Sequence, residues 1–156
     1  MERTLAIIKP DGLQRGLVGK IISRIEEKGF KMIGLKLMKI DRELAERHYS
    51  VHKGKHFFEP LINYITSGPV VVMCLEGKNA CEVLRRMVGK TDCCEAQPGT
   101  IRGDLGLSAR FNLIHASDSP ESAIQEIQLF FEPDELIEYH KTIDNWVYDL
   151  TGEAPV

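Results

Sequence analysis

His115 lies in the stretch Asn112-Leu113-Ile114-His115-Ala116-Ser117-Asp118, followed at once by Ser119-Pro120-Glu121-Ser122. An imidazole has a reference pKa of about 6.5, so near pH 7 much of it is neutral and can attack, ligate or carry a proton. Leu113 and Ile114 read as a short buried strand. Ser119 reads as an N-cap with Pro120 at the first helical position, and Ala123, Ile124, Ile127 and Phe131 continue at helical spacing. The histidine therefore falls where a strand gives way to a helix, whose opening N–H groups and dipole favour an anion. On this stretch alone a hydrogen-bonded structural histidine is the better account; the rest of the chain overturns it.

Lys9, Arg85, Thr91, Arg102 and Asn112 add fixed cations, a hydroxyl and an amide. Arginine offers forked contacts to phosphate oxygens and lysine a point charge. With a histidine among them, phosphoryl transfer through that histidine fits better than acyl transfer. The chain has no Gly-x-Ser-x-Gly elbow, no HExxH and no Walker GxxxxGK[ST], so a phosphate cradle has to come from side chains. The spacing His48-x3-His52-x3-His56 invites a metal reading. Gly54 interrupts that helix and no acid or thiol is spaced to complete a site, so ordinary surface histidines are expected. Cys93-Cys94 lacks partners, and Arg102-Gly103-Asp104 reads as loop chemistry.

The elements that must position these groups follow in order. Thr4 to Lys9 reads as a buried strand closed by a turn at Pro10-Asp11-Gly12. Leu17, Val18, Ile21, Ile22 and Ile25 form a helix stopped by Gly29, and a long strand runs from Phe30 to Ile40 with Gly34 as a bulge. Asp41 caps a helix through Leu44, Ala45 and His48; a second short helix spans about residues 58 to 65. Val70 to Leu75 is the clearest strand, and Ala80, Val83, Leu84, Met87 and Val88 mark an amphipathic helix. Residues 89 to 111 hold no sustained period and read as a binding loop carrying Thr91, Arg102 and Arg110. After the histidine strand and its helix, Pro133-Asp134-Glu135 starts a short helix, and Asn145 to Val156 lies along the surface or a partner subunit. The order β-α-β, extra helices, β-α-β predicts an α+β, ferredoxin-like (split βαβ) fold: a four-stranded antiparallel sheet with helices on one face, an inserted helical hairpin and a long loop. A doubly wound parallel sheet is the alternative.

A chain of 156 residues fits one domain spanning 1–156, and 43% hydrophobic with 28% charged residues supports a core and a solvated surface. A net charge of −3 argues against a general nucleic-acid or membrane binder, although Lys53-Gly54-Lys55-His56 could contact an anion. The apolar run before Lys9 is only four residues long, Leu5 to Ile8, too short for a signal-peptide core or a span. The four cysteines show no CxxC pairing, so reduced thiols and a cytoplasmic address are expected.

Seven stretches, in order, resemble the nucleoside diphosphate kinase family: Ile8-Lys9-Pro10-Asp11-Gly12, Gln14 to Gly19, His48-Tyr49, Phe57-Phe58, Thr66 to Val70, Pro98 to Asp104 and Asn112 to Ser119. The resemblance runs from Thr4 to about Tyr148. It implies transfer of the γ-phosphate of a nucleoside triphosphate to a nucleoside diphosphate in two half-reactions through phosphohistidine. His115 matches the nucleophile, and Glu126 the carboxylate that orients it, with Ser117 as that carboxylate's hydrogen-bond partner. Tyr49 and Lys9 match groups near the reacting phosphate. Arg85, Thr91 and Arg102 match phosphate contacts, Asn112 a ribose contact and Phe57 the aromatic face for the base; Leu61 is counted with the nucleotide contacts. Asp118 matches a residue near Mg²⁺, which the family holds mainly through the phosphates. Stacking on a ring reads no base edge, so broad base tolerance follows. Self-association into a homo-hexamer or homo-tetramer is implied, with no membrane and no specific nucleic-acid partner.

The chain departs from the family pattern in several places. Ala116 stands where glycine often follows the histidine, and Ala109 where a larger apolar residue usually clamps the base. Phe111 replaces an often basic or small residue, Val51 an often acidic one, and Asp92-Cys93-Cys94 stands where many members have Asn-Pro. The departures at Ala109 and Ala116 motivate a second hypothesis: a nucleotide-binding regulatory or scaffold homologue with weak catalysis. A metal- or nucleic-acid-binding module is the third.

Overall fold

Leu5, Ala6, Ile7 and Ile8 are all fully buried although successive side chains of a strand point to opposite faces. The first strand therefore has to be covered on both sides. In the computed structural model, which describes residues 1–156, it is. β1 (Glu2–Ile8) lies inside a four-stranded antiparallel sheet of order β2-β3-β1-β4, with β2 at Lys31–Met38, β3 at Val70–Gly77 and β4 at Ile114–Ala116. The crossovers β1-α-β2 and β3-α-β4 give the split βαβ order expected.

The helices, however, occupy both faces rather than one. The crossover helices α2 (Val18–Lys28) and α5 (Ala80–Val88) pack with Ala6, Ile8 and Met73 on the first face. The inserted hairpin of α3 (Arg42–His48) and α4 (Phe58–Ile65) joins α7 (Pro120–Phe130) over Leu5, Ile7 and Val72 on the second. A sheet with apolar residues on both sides cannot leave one wet.

Local signals account for most of the boundaries. Asp41 accepts from Leu44 N–H (2.8 Å) at the start of α3, and Ser119 from Ser122 N–H (3.1 Å) at the start of α7. Gly29 ends α2 at φ +109°, and β2 shifts register between Met32 and Gly34, the expected bulge. The expected turn at Pro10-Asp11-Gly12 is instead a short helix, α1 (Pro10–Gln14), because Pro10 sets the first helical φ. The tail after α7 returns across the β2 edge, where Ile137 N–H donates to Ile33 C=O (2.8 Å) and Tyr139 Oη to Met32 C=O (2.7 Å). It then forms a further short helix, α8 (Asp144–Val147), packed on Gly29. No helix is long and apolar enough to cross a membrane.

Residues 89 to 111 are not wholly irregular. Thr100 caps α6 (Ile101–Leu105), a helix too short to show a period. Within it, Gly103 is required by packing, since a Cβ there would stand 2.0 Å from the Gln97 carbonyl oxygen. Gly103→Ala is expected to lower stability by about 2 kcal/mol, as overpacking against backbone does. A urea titration that leaves the midpoint unchanged would show the loop to be looser than this contact implies.

Candidate active site

His115 pairs with Ile7 across β1 and β4, while its neighbours Ile114 and Ala116 enter the α2/α5 face. Strand alternation therefore sends the imidazole to the opposite face, at the edge where α3 and α7 meet. There Nε2 hydrogen-bonds to Glu126 Oε1, from the middle of α7. The same carboxylate oxygen lies 3.7 Å from Nδ1 of His48, the last residue of α3. The two rings meet edge-on with centroids 4.6 Å apart.

His48 is not the surface histidine that its spacing suggests: its side chain is 2% exposed and neither ring nitrogen has a hydrogen-bond partner. Burial, then the proximity of His115, Lys9 and His52, holds its pKa well below the usual imidazole range, so it is neutral. The signal was its place four residues after Leu44 and three after buried Ala45, on the packed face of α3. The three histidines do not share a helical face, because α3 ends at His48. His52 and His56 instead meet the Phe57 ring edge-on, at 5.2 and 5.4 Å.

The chain enters β4 through a strained residue. Leu113 has φ +73°, and Ile114 N–H donates to Asn112 C=O (2.8 Å) across it, a γ-turn that branched side chains disfavour. It is held from both ends. Leu113 N–H donates to Asp11 Oδ2 (3.1 Å), its carbonyl accepts from Lys9 N–H (2.8 Å), and its side chain is fully buried. This turn lets Asn112 and His115 face one cleft.

Lys9 is 6% exposed, and its Nζ donates to Asn112 Oδ1 (2.8 Å). Burial, reinforced by the Arg102 charge and partly opposed by Asp11, pushes its pKa down to about 7. Asn112 Nδ2 donates to the carbonyls of Thr91 (3.2 Å) and Ala109 (3.1 Å), tying both ends of the long loop to Lys9. Arg102 points its guanidinium at the carbonyls of Asn112 (3.1 Å), Gly89 (3.2 Å) and Ile114 (2.6 Å). Arg85 reaches Ala116 C=O (3.2 Å) and Asp118 Oδ1 (2.7 Å) at the exposed rim. Tyr49 is buried with its hydroxyl unpartnered, and burial followed by the Glu126 charge raises its pKa, so it stays a hydroxyl.

These groups line a cleft of about 990 Å³ that also receives Phe57 and Leu61 from α4. Of the site residues expected from sequence, the cleft gathers all but Ser117. Ser117 is fully buried, and its hydroxyl is spent on Leu5, accepting from the N–H (3.3 Å) and donating to the C=O (3.4 Å). The expected pairing with Glu126 is not formed, because Ser117 continues the ladder beside β1. The carboxylate hydrogen-bonds to His115 instead, with the His48 ring near it but not bonded. Ala109 and Arg110 also line the cleft, while Phe111 lies against the Tyr64 ring at 5.2 Å.

A split βαβ sheet carrying a histidine–carboxylate pair beside a cationic cleft defines a class: phosphotransferases that work through a side chain rather than a glycine-rich loop. A family model for nucleoside diphosphate kinase matches residues 2–136. The chain is 61% identical over 149 residues to the nucleoside diphosphate kinase of Carboxydothermus hydrogenoformans, covering 96% of this chain and 100% of that one. It is 61% identical over 157 residues to that of Pyrococcus furiosus, covering 99% and 97%. Among solved structures it resembles the Halobacterium salinarum nucleoside diphosphate kinase in complex with CDP, with TM-score 0.93, 50% identity and 94% and 98% coverage. The apo enzyme of Encephalitozoon cuniculi gives TM-score 0.91 at 39% identity, with 95% and 100% coverage. The chain belongs to the nucleoside diphosphate kinase family, an enzyme family of phosphotransferases.

Proposed function

We propose that the protein moves the γ-phosphate of a nucleoside triphosphate to a nucleoside diphosphate through phosphohistidine at His115, maintaining triphosphate pools. The observation that carries this reading is the His115–Glu126 hydrogen bond at Nε2, which leaves Nδ1 as the nitrogen free to attack. In the first half-reaction the Nδ1 lone pair forms a bond to the γ-phosphorus and the bond to the β,γ-bridging oxygen breaks. Glu126 accepts from Nε2–H as the ring becomes positive. In the second, a β-phosphate oxygen of the incoming diphosphate takes the phosphoryl group and restores the neutral ring. Lys9, Arg85 and Arg102, with Thr91 and the Tyr49 hydroxyl, balance charge and orient the chain of phosphates. Asn112 with Lys9 faces the ribose, and Phe57 with Leu61 the base.

The divalent ion fits as Mg²⁺ carried by the nucleotide. Asp118 is a single exposed carboxylate already opposite Arg85, too little for a cage but suited to an ion that keeps its waters and phosphates. Bound there, Mg²⁺ would neutralise the phosphate oxygens. The exposed apolar Leu35 and Leu37 on the β2 edge support self-association into a homo-hexamer or homo-tetramer, which sedimentation distinguishes. A cytoplasmic site of action, among nucleoside di- and triphosphates, completes the reading.

The test is incubation with γ-labelled ATP and Mg²⁺. Acid-labile, alkali-stable label on the protein is expected, chased off by any nucleoside diphosphate. Nucleotide binding with no phosphoenzyme would favour the regulatory alternative. Phe57→Ala should raise KM for every nucleotide by about 5- to 100-fold, the worth of one stacked base, with kcat little changed. A loss confined to one base would mean that the rim reads base edges.

A further inference from the structure

A buried imidazole with no partner on either nitrogen costs free energy and asks for an explanation. His48 is such a group, and it faces the one carboxylate oxygen that already holds His115. One donor atom from each of His48, His115 and Glu126 lies within 4.8 Å of the others. Two imidazole nitrogens and a carboxylate oxygen are the donor set of open zinc sites, whose ligand atoms stand about 3.4 Å apart around an ion at about 2.1 Å. Reaching that spacing asks the hydrogen-bonded His115 and Glu126 atoms to part and the His48 atom to draw in, each by about 1 Å.

We infer that His48, His115 and Glu126 form a site for a borderline divalent ion of the zinc class, distinct from any ion carried by the nucleotide. The nitrogen donors select this class over Mg²⁺, which takes oxygen ligands and parts reluctantly with water. The three protein ligands leave a fourth position open to the cleft.

Occupancy has a chemical consequence. The ion takes the Nε2 lone pair of His115, so the neutral ring keeps its single proton on Nδ1 instead. Nδ1 then has no lone pair to offer, and Glu126 has exchanged a hydrogen bond for a metal bond. The nucleophile is switched off by a change of tautomer with no net proton lost from the ring. Metal binding rests on the three donors alone; only the inhibition rests on the phosphohistidine reading.

The test titrates Zn²⁺ into metal-free, nucleotide-free protein against a chromophoric chelator. One equivalent per chain is expected. His48→Phe, which keeps a ring packed on Phe130 and Tyr49, and Glu126→Gln should each weaken binding at least tenfold while melting cooperatively. The double variant His52→Ala, His56→Ala and the single variant Cys94→Ser should bind as the parent does. Sub-stoichiometric binding by the parent would overturn the proposal, as would parent-like affinity in both His48→Phe and Glu126→Gln. Zn²⁺ should also block labelling by γ-labelled ATP. Absence of labelling by Mg²⁺ and γ-labelled ATP in the Zn²⁺-free protein would count against the kinase reading and leave the titration unaffected.

Discussion

His115→Ala is expected to lower phosphate exchange by about 10⁴-fold or more and to abolish labelling of the protein, with nucleotide affinity changed only a few-fold. The asymmetry follows from geometry. His115 is 18% exposed at its side chain and belongs to neither apolar cluster, so removing the ring leaves the sheet and both helical layers intact. The cations facing the phosphates come from elsewhere: Lys9 after β1, Arg85 on α5 and Arg102 on α6. Binding and chemistry are thus carried by separate elements, and one substitution can remove the second alone. Glu126→Gln keeps the nucleophile and should cost less, about 10²-fold, because an amide oxygen can still accept from Nε2–H without a full charge opposite the developing imidazolium. Rapid quench-flow labelling of the three proteins measures the difference. If His115→Ala still exchanges phosphate, the phosphohistidine assignment fails whatever the family.

The parts of this site that were legible in the sequence are those in which local chemistry and tertiary role coincide. Ser119-Pro120 announces a helix start in any context, and Val70 to Leu75 can only be a buried strand. His115, lodged between the apolar pair Leu113-Ile114 and that helix start, was therefore locatable from the chain alone. Ser117 and His48 were misplaced for a common reason. Each is a small or amphipathic polar residue whose partner is set by packing between distant elements, not by spacing: Ser117 answers to Leu5, 112 residues away, and His48 to a carboxylate on α7. The covering of both sheet faces was missed because α3, α4 and α7 are amphipathic helices whose patterns say that one side is buried but not against what. Leu113 is the sharpest case. A leucine carries no sign that it will be held at φ +73°; that conformation is imposed by Asp11 and Lys9, a hundred residues earlier in the chain.

Lys9→Met is expected to lower exchange by about 10²–10³-fold, the usual effect of deleting one aimed charge in a water-poor site, and to change the pH dependence as well as the rate. The buried amine has its pKa pushed down to about 7 from the ordinary 10.5. Between those values the unfolded chain holds a proton that the folded chain has released, so stability rises with pH across this window and the increment is complete only above 10.5. Phosphate binding acts in the opposite direction. A bound polyphosphate favours the ammonium, so above pH 7 the protein must take up a proton to bind, and affinity should fall by up to about tenfold per pH unit. The methionine variant keeps the length of the stem and has no proton to take up. Calorimetry in buffers of different ionisation enthalpy should therefore show proton uptake at pH 8 in the parent and none from this position in the variant, together with loss of the rise in stability above pH 7. Identical pH profiles in the two proteins would mean that Lys9 titrates outside this range. Its proximity to Asn112 would then be a structural contact, and the burden of balancing phosphate charge would fall on Arg85 and Arg102 alone.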